Sequence, residues 1–105
     1  MTHPLEISRL TWQGITIKIS YCKQWSSSDI DGHNVAHLEV EAVEPERARL
    51  PMTETGYRSH FCQHADIMEY ESAAAFVTAW LDSEAKSRDW QAYIGKSKQP
   101  DLFEL

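Results

Sequence analysis

The hydrophobic period of this chain changes part-way along, and that change restricts the fold more than any other feature. Before about residue 44 apolar side chains recur at every second position, and after about residue 66 they recur at helical spacing. A strand with one wet face repeats every two residues, whereas an amphipathic helix repeats about every 3.6. Ile15, Ile17, Ile19 and Tyr21 alternate with Thr16, Lys18 and Ser20, which predicts a strand. Gln13-Gly14 supplies a turn before it, so Leu5, Ile7, Leu10 and Trp12 are expected on the partner strand of a hairpin. Residues 26–34 are polar and read as a loop with a tight turn. Leu38, Val40 and Ala42 then alternate with His37, Glu39 and Glu41, giving a third strand with His37 on its polar face. Pro45 and Pro51 bracket residues 46–50, and proline cannot donate to a sheet ladder, so this stretch is a loop or a single helical turn. After Gly56, Tyr57, Ser59 and Phe61 face one way and Arg58, His60 and Cys62 the other, predicting a fourth strand within an unusually polar stretch over 53–64.

Helix signals follow. Ser72 is a candidate N-cap before Ala73-Ala74-Ala75, with Phe76, Val77, Trp80 and Leu81 as one apolar stripe ending near Lys86. Ser87 is a second candidate cap, with Trp90, Tyr93 and Ile94 at helical spacing and Gly95 as the stop. Strands followed by helices predict an α+β fold: an antiparallel sheet of about three to five strands with two C-terminal helices packed on one face. The domain is expected over residues 1–98, followed by a tail at 99–105.

Composition removes several function classes. Ten Lys and Arg against 16 Asp and Glu leave a net charge of −6, spread without a basic cluster, which argues against a surface that neutralises nucleic-acid phosphates. The acidic residues alternate with Lys and Arg, so they read as a solvated face rather than an imitation of DNA. The longest apolar run, residues 73–77, is far short of the roughly 20 residues a membrane helix needs, and a cytoplasmic location is expected. In a reducing compartment Cys22 and Cys62 are free thiols. Eleven aromatics, four of them Trp, fill much of the expected core, and Trp12 or Trp25 could seal a homodimer.

The chemistry concentrates in Thr53-Glu54-Thr55-Gly56-Tyr57-Arg58-Ser59-His60-Phe61. With Pro51 before it and Ala79-Trp80-Leu81-Asp82 downstream, this segment resembles the central motif of a family of small, largely uncharacterised bacterial proteins found on plasmids, integrative elements, phages and other mobile DNA. The resemblance covers roughly the C-terminal two-thirds of the chain and carries no activity with it. From the residues themselves, Arg58 and His60 fall on one side of an extended segment, and Thr53, Glu54 and Thr55 could complete a clamp for an anionic ligand. In an enzymatic version Arg58 anchors the anion and His60 does acid/base work with Glu54 as its partner. The structural alternative pairs Glu54 with Arg58, uses Gly56 for a bend and bonds His60 to backbone.

His60, Cys62 and His64, at spacing two, put three metal-ligating side chains on one face, but ligands along one straight strand are too far apart to share an ion without a bend, or without His33 and His37, four apart, supplying the missing ligands. No metal and no cofactor are therefore expected. A Cys62 nucleophile served by His60 or His64 lacks the third group that would orient the base. At the C-terminus Gln99-Pro100-Asp101-Leu102-Phe103 resembles the pentapeptide with which bacterial replication and repair proteins dock on the DNA polymerase sliding clamp. Gln99, Asp101, Leu102 and Phe103 agree with that pattern, and Pro100 departs from its aliphatic second position. Alternatively Leu102, Phe103 and Leu105 cover the protein's own core. The reading that unites these features is a non-enzymatic accessory protein of bacterial mobile DNA that binds a host protein. An anionic-ligand binder or small enzyme, and an inhibitor of a host defence complex, are the alternatives.

Overall fold

Four strands run in the order of the chain: β1 (Glu6–Trp12), β2 (Ile15–Ser27), β3 (Asn34–Glu44) and β4 (Tyr57–Gln63) form one antiparallel sheet, each paired with the next. Three helices follow, α1 (His64–Met68), α2 (Ala73–Glu84) and α3 (Arg88–Lys98), completing one α+β domain. This computed structural model describes residues 5–27 and 34–98. The tail residues Gln99, Asp101, Leu102 and Phe103 therefore lie outside the described residues, as do His33 and the expected turn at Asp31-Gly32.

The first hairpin follows from its turn chemistry. Gln13 and Gly14 both take positive φ, at 47° and 79°, the two-residue arrangement whose twist matches that of the flanking strands. That turn pairs Trp12 with Ile15, Leu10 with Ile17 and Ser8 with Ile19, so alternation on both strands addresses one face. Across β3 and β4 the same face continues with Ala42, Val40, Leu38 and Ala36, then with Arg58, His60 and Cys62. Its centre is fully buried: Ile17, Ile19, Leu38 and Val40 have no exposed surface, and neither do Val77 and Leu81 of α2 above them.

Both helix caps fall where the sequence places them. The Ser72 hydroxyl accepts from the Ala75 N–H at 3.1 Å and the Ser87 hydroxyl from the Trp90 N–H at 3.2 Å. The stop of the last helix differs from expectation, because Gly95 is exposed and helical and α3 runs on to Lys98. Solvent, not a positive-φ C-cap, surrounds it. Trp90 lies 5.6 Å from Trp12 by ring centroids, and the Trp12 indole donates to Asp82 on α2 at 2.9 Å. Trp12 is thus a buried clasp between sheet and helices, 7% exposed, and is not a surface residue available to seal a dimer.

Between β3 and β4 the chain turns through Pro45, whose peptide bond with Glu44 is cis, and Leu50 plugs the core with no exposed surface. Gly56 closes this loop. Its φ is +79°, and a Cβ there would stand 2.7 Å from the Arg47 carbonyl carbon, so only glycine lets the two backbone segments meet. The polar stretch at 53–64 is consequently three structures: a bend through Gly56, the strand β4 and the start of α1. Asp66 stabilises the short α1 by accepting from the Gln63 N–H at 3.4 Å. Both cysteines are free thiols.

Candidate functional site

Arg58 and His60 do come together, on the helix-facing side of β4, but their companions are aromatic. The Arg58 guanidinium carbon lies 5.8 Å from the centre of the Trp80 ring. His60 stands 5.0 Å from Trp80 and lies nearly parallel to Phe76 at 6.0 Å, with Tyr70 edge-on to Phe76 at 5.3 Å. Together these side chains line a cavity of about 310 Å³ between β4 and α2, with Ala79 and Ser83 on the helix side. The spacing on α2 explains it. Ala73, Val77 and Leu81 are buried, while Phe76 and Trp80, on the flank of that stripe, reach over the edge of the sheet.

This setting makes His60 a neutral imidazole over most of the physiological range. Burial lowers its pKa below 6.5, the nearby positive Arg58 lowers it further, and Asp66 opposes both more weakly. The site thus offers one fixed cation, one neutral donor and acceptor, and several aromatic faces. Such a set has the chemistry to hold an anionic or aromatic group. Cys62 is kept as a thiol by burial and by Asp66, both of which raise its pKa.

The remaining expected members of the clamp are elsewhere. The Thr53 hydroxyl donates to the Tyr57 carbonyl at 2.8 Å, and the Thr55 hydroxyl, 3.1 Å from that of Thr53 and 3.3 Å from the same carbonyl, donates within this pair of acceptors, so the two hydroxyls shape the bend. Glu54 points to Arg49 at 3.8 Å rather than to Arg58, and its side chain is 83% exposed. An ion pair that open is worth little. His64 has left the strand for α1, where its Nδ1 meets the Tyr21 hydroxyl at 2.6 Å. Burial, with help from Cys62, Glu6 and Cys22, pushes Tyr21 up to about 12, so the phenol stays protonated. No three His, Cys, Asp or Glu side chains gather as a metal-holding set among the described residues.

The opposite sheet face holds a cluster that alternation alone concealed. His37, expected on a wet face, is 9% exposed. Between Cys22 and Ser26 the β2–β3 register shifts, and the local irregularity brings Trp25 to 4.7 Å from the His37 ring. Phe61 covers the other side of the imidazole at 4.5 Å. His37 Nε2 bonds the Ser59 hydroxyl at 2.6 Å, its Nδ1 is 4.0 Å from Glu39, and Glu39 accepts from the Tyr57 hydroxyl at 2.6 Å. Hydroxyl, imidazole and carboxylate are in the order of a hydrolase relay, but the carboxylate contact is too long to orient the base. A pleated sheet also keeps its N–H groups in its own plane, away from any oxyanion above Ser59. The bulge was the missing signal; the Cys22–Ser26 segment carries no glycine to announce it.

A family model described as the KlcB third domain matches residues 6–90. The chain belongs to that family. No curated protein and no solved structure matches the chain. The matched stretch runs from the start of β1 into the first turn of α3, so the β4–α2 cavity lies wholly within the family's domain. No helix among the described residues is long and apolar enough to cross a membrane.

Proposed function

We propose that this domain is a non-enzymatic interaction module of bacterial mobile DNA, which takes an extended segment of a protein partner along β4. The observation that carries the proposal is the distribution of exposed apolar surface. Of the seven large apolar side chains exposed among the described residues, Tyr57, Phe61, Met68 and Tyr70 are on β4 or the α1 segment after it, and Trp25 leans on Phe61 at 6.4 Å. β4 is also an edge of the sheet, with no strand beyond it among the described residues. An edge presents unpaired backbone donors and acceptors that an added strand can use, while flanking pockets read its side chains. Here the Phe76–Trp80 wall suits an apolar or aromatic side chain, and Arg58 suits a carboxylate beside it. The service to mobile DNA is supported by the resemblance of the segment from Thr53 to Phe61 to a motif of such proteins.

The test is selection of peptides from a random display library on the folded domain, followed by mapping of the amide resonances that move. Selected peptides should shift residues 57–63 and the Trp80 indole, and should lose binding to Arg58→Glu. Selections that map to β1, or that bind Arg58→Glu unchanged, would remove this reading.

A further inference from the structure

Helices cover one face of the sheet, and the other face carries a charge conflict that the folded chain leaves unresolved. The core cluster takes Ile17, Ile19, Leu38 and Val40 from the covered face and contains none of Ile7, Lys18, Glu39, Glu41 or Phe61 from the other. Strand register arranges that second face in rows. Arg9, Lys18, Glu41 and Tyr57 form one row from β1 to β4, Ile7, Ser20, Glu39 and Ser59 the next, and Cys22, His37 and Phe61 a third. In the first row Arg9 is directly opposite Lys18, and like charges so placed destabilise a sheet. Among the described residues neither cation forms an ion pair, and neither does Glu41, although Lys18 and Glu41 are register partners. The face is thus cationic over β1 and β2 and acidic over β3. Exposed apolar surface is divided in the same direction, with Ile7, 50% exposed, at the β1 edge and Phe61, 55% exposed, at the β4 edge.

We infer that this face binds a second copy of the same chain, about a two-fold axis running along the strands between β2 and β3. Such an axis lays β1 and β2 of each copy over β4 and β3 of the other. Lys18 then meets Glu41 of the second copy, Arg9 meets its Tyr57 ring, Ser20 its Glu39, and Ile7 lands on Ser59 between Tyr57 and Phe61. The crossing of about 30° usual for packed sheets moves a row next to the central one by about 4 Å, less than one strand spacing, so the pairs survive it. A two-fold axis across the strands does the opposite. Centred on a charged row, it stacks Lys18 on Lys18 and Glu41 on Glu41, or Glu39 on Glu39. Four strands, seven residues long at the edges, make a face of about 450 Å² on each copy, so the dimer is at the small end of specific interfaces and dissociates readily. This face shares Tyr57 and Phe61 with the β4 edge, but its deciding residues are Ile7, Lys18 and Glu41, and it leaves the β4 backbone and Arg58 open.

The experiment is sedimentation velocity of the full chain over a concentration series, with Lys18→Glu, Glu41→Lys and their equimolar mixture alongside. The unaltered chain should dimerise reversibly. Each variant alone should be monomeric, because positions 18 and 41 then carry the same sign, and the mixture should restore the dimer, because each copy supplies the charge the other lacks. A folding defect does not produce that rescue. Ile7→Glu, at an exposed position, should weaken dimerisation roughly tenfold or more, whereas Arg58→Glu should leave it unchanged. A monomer at every concentration, single variants that dimerise like the unaltered chain, or a mixture that stays monomeric would overturn the inference. Loss of the dimer in Arg58→Glu would move the contact to the β4 edge and overturn it as well. If a charge variant does not fold, Ile7→Glu decides, and unchanged dimerisation there sinks the proposed face.

Discussion

Arg49 over Tyr93 and Arg58 over Trp80 are the same chemical pair in two settings. Their guanidinium carbons lie 4.6 and 5.8 Å from the ring centres, and each pair lines a cavity beside a helix. The difference is what lies behind the ring. Tyr93 leans on Trp90, which is packed against Trp12 in the core, so the Arg49 pair is continuous with the interior. Trp80 leans on Phe76 and His60 at the sheet edge, and Arg58 itself is exposed. A cation–π contact is worth more where water is removed from it. The first pair is therefore tied to stability, and the second is the one the proposed β4 docking would use.

That contrast is broken most forcefully by removing the rings. Trp90→Ala should cost about 3–5 kcal/mol in urea unfolding, the usual penalty for emptying a core aromatic site, and Trp80→Ala roughly a third to a half of that, since Trp80 is only partly buried at the margin of the core. Equal losses would erase the distinction. Gly56 stands between the two arginines and holds the loop that carries Arg49 against the start of β4. Gly56→Ala should cost about 2 kcal/mol or more through the positive φ and the 2.7 Å approach to Arg47, and should disturb both sites at once.

Smaller effects sharpen the comparison. Arg49→Ala should lower stability by about 1 kcal/mol, from the lost stem packing and ring contact, whereas Arg58→Ala should stay within about 0.5 kcal/mol. Both are read from denaturation midpoints at constant slope. The smallest effect is a pH dependence at the edge site. The folded value of His60 lies below its ordinary 6.5, so as pH falls through that value the unfolded chain takes up the proton first and stability drops. Stability should rise with pH across that window, and His60→Gln should flatten this part of the profile. A profile unaltered by His60→Gln would place the titration elsewhere.

Much of the fold was legible from alternation and caps because these are local. Gln13-Gly14 defines the first hairpin, Ser72 and Ser87 start their helices, and the faces of β4 divide as Tyr57, Ser59 and Phe61 against Arg58, His60 and Cys62. Arg58 and His60 were also legible as neighbours, since residues two apart on a strand share a face. Their aromatic companions were not, because the approach of Phe76 and Trp80 depends on where α2 crosses the sheet. Glu54 was misplaced for a related reason: the Gly56 bend turns it toward Arg49, a residue brought near by the loop. His37 was assigned to water by its period, and a register shift on the neighbouring strand buried it.

The amino-acid sequence by itself determined the α+β order, the two faces of each strand, the helix starts and the net charge of −6. These follow from steric periods and turn chemistry acting over a few residues. Only the tertiary structure decided which arginine stacks on a ring continuous with the core, which carboxylate it faces, and that Phe76 and Trp80 wall the cavity beside His60. Those outcomes depend on how helices, loop and sheet fit together, where distance along the chain no longer measures distance in space.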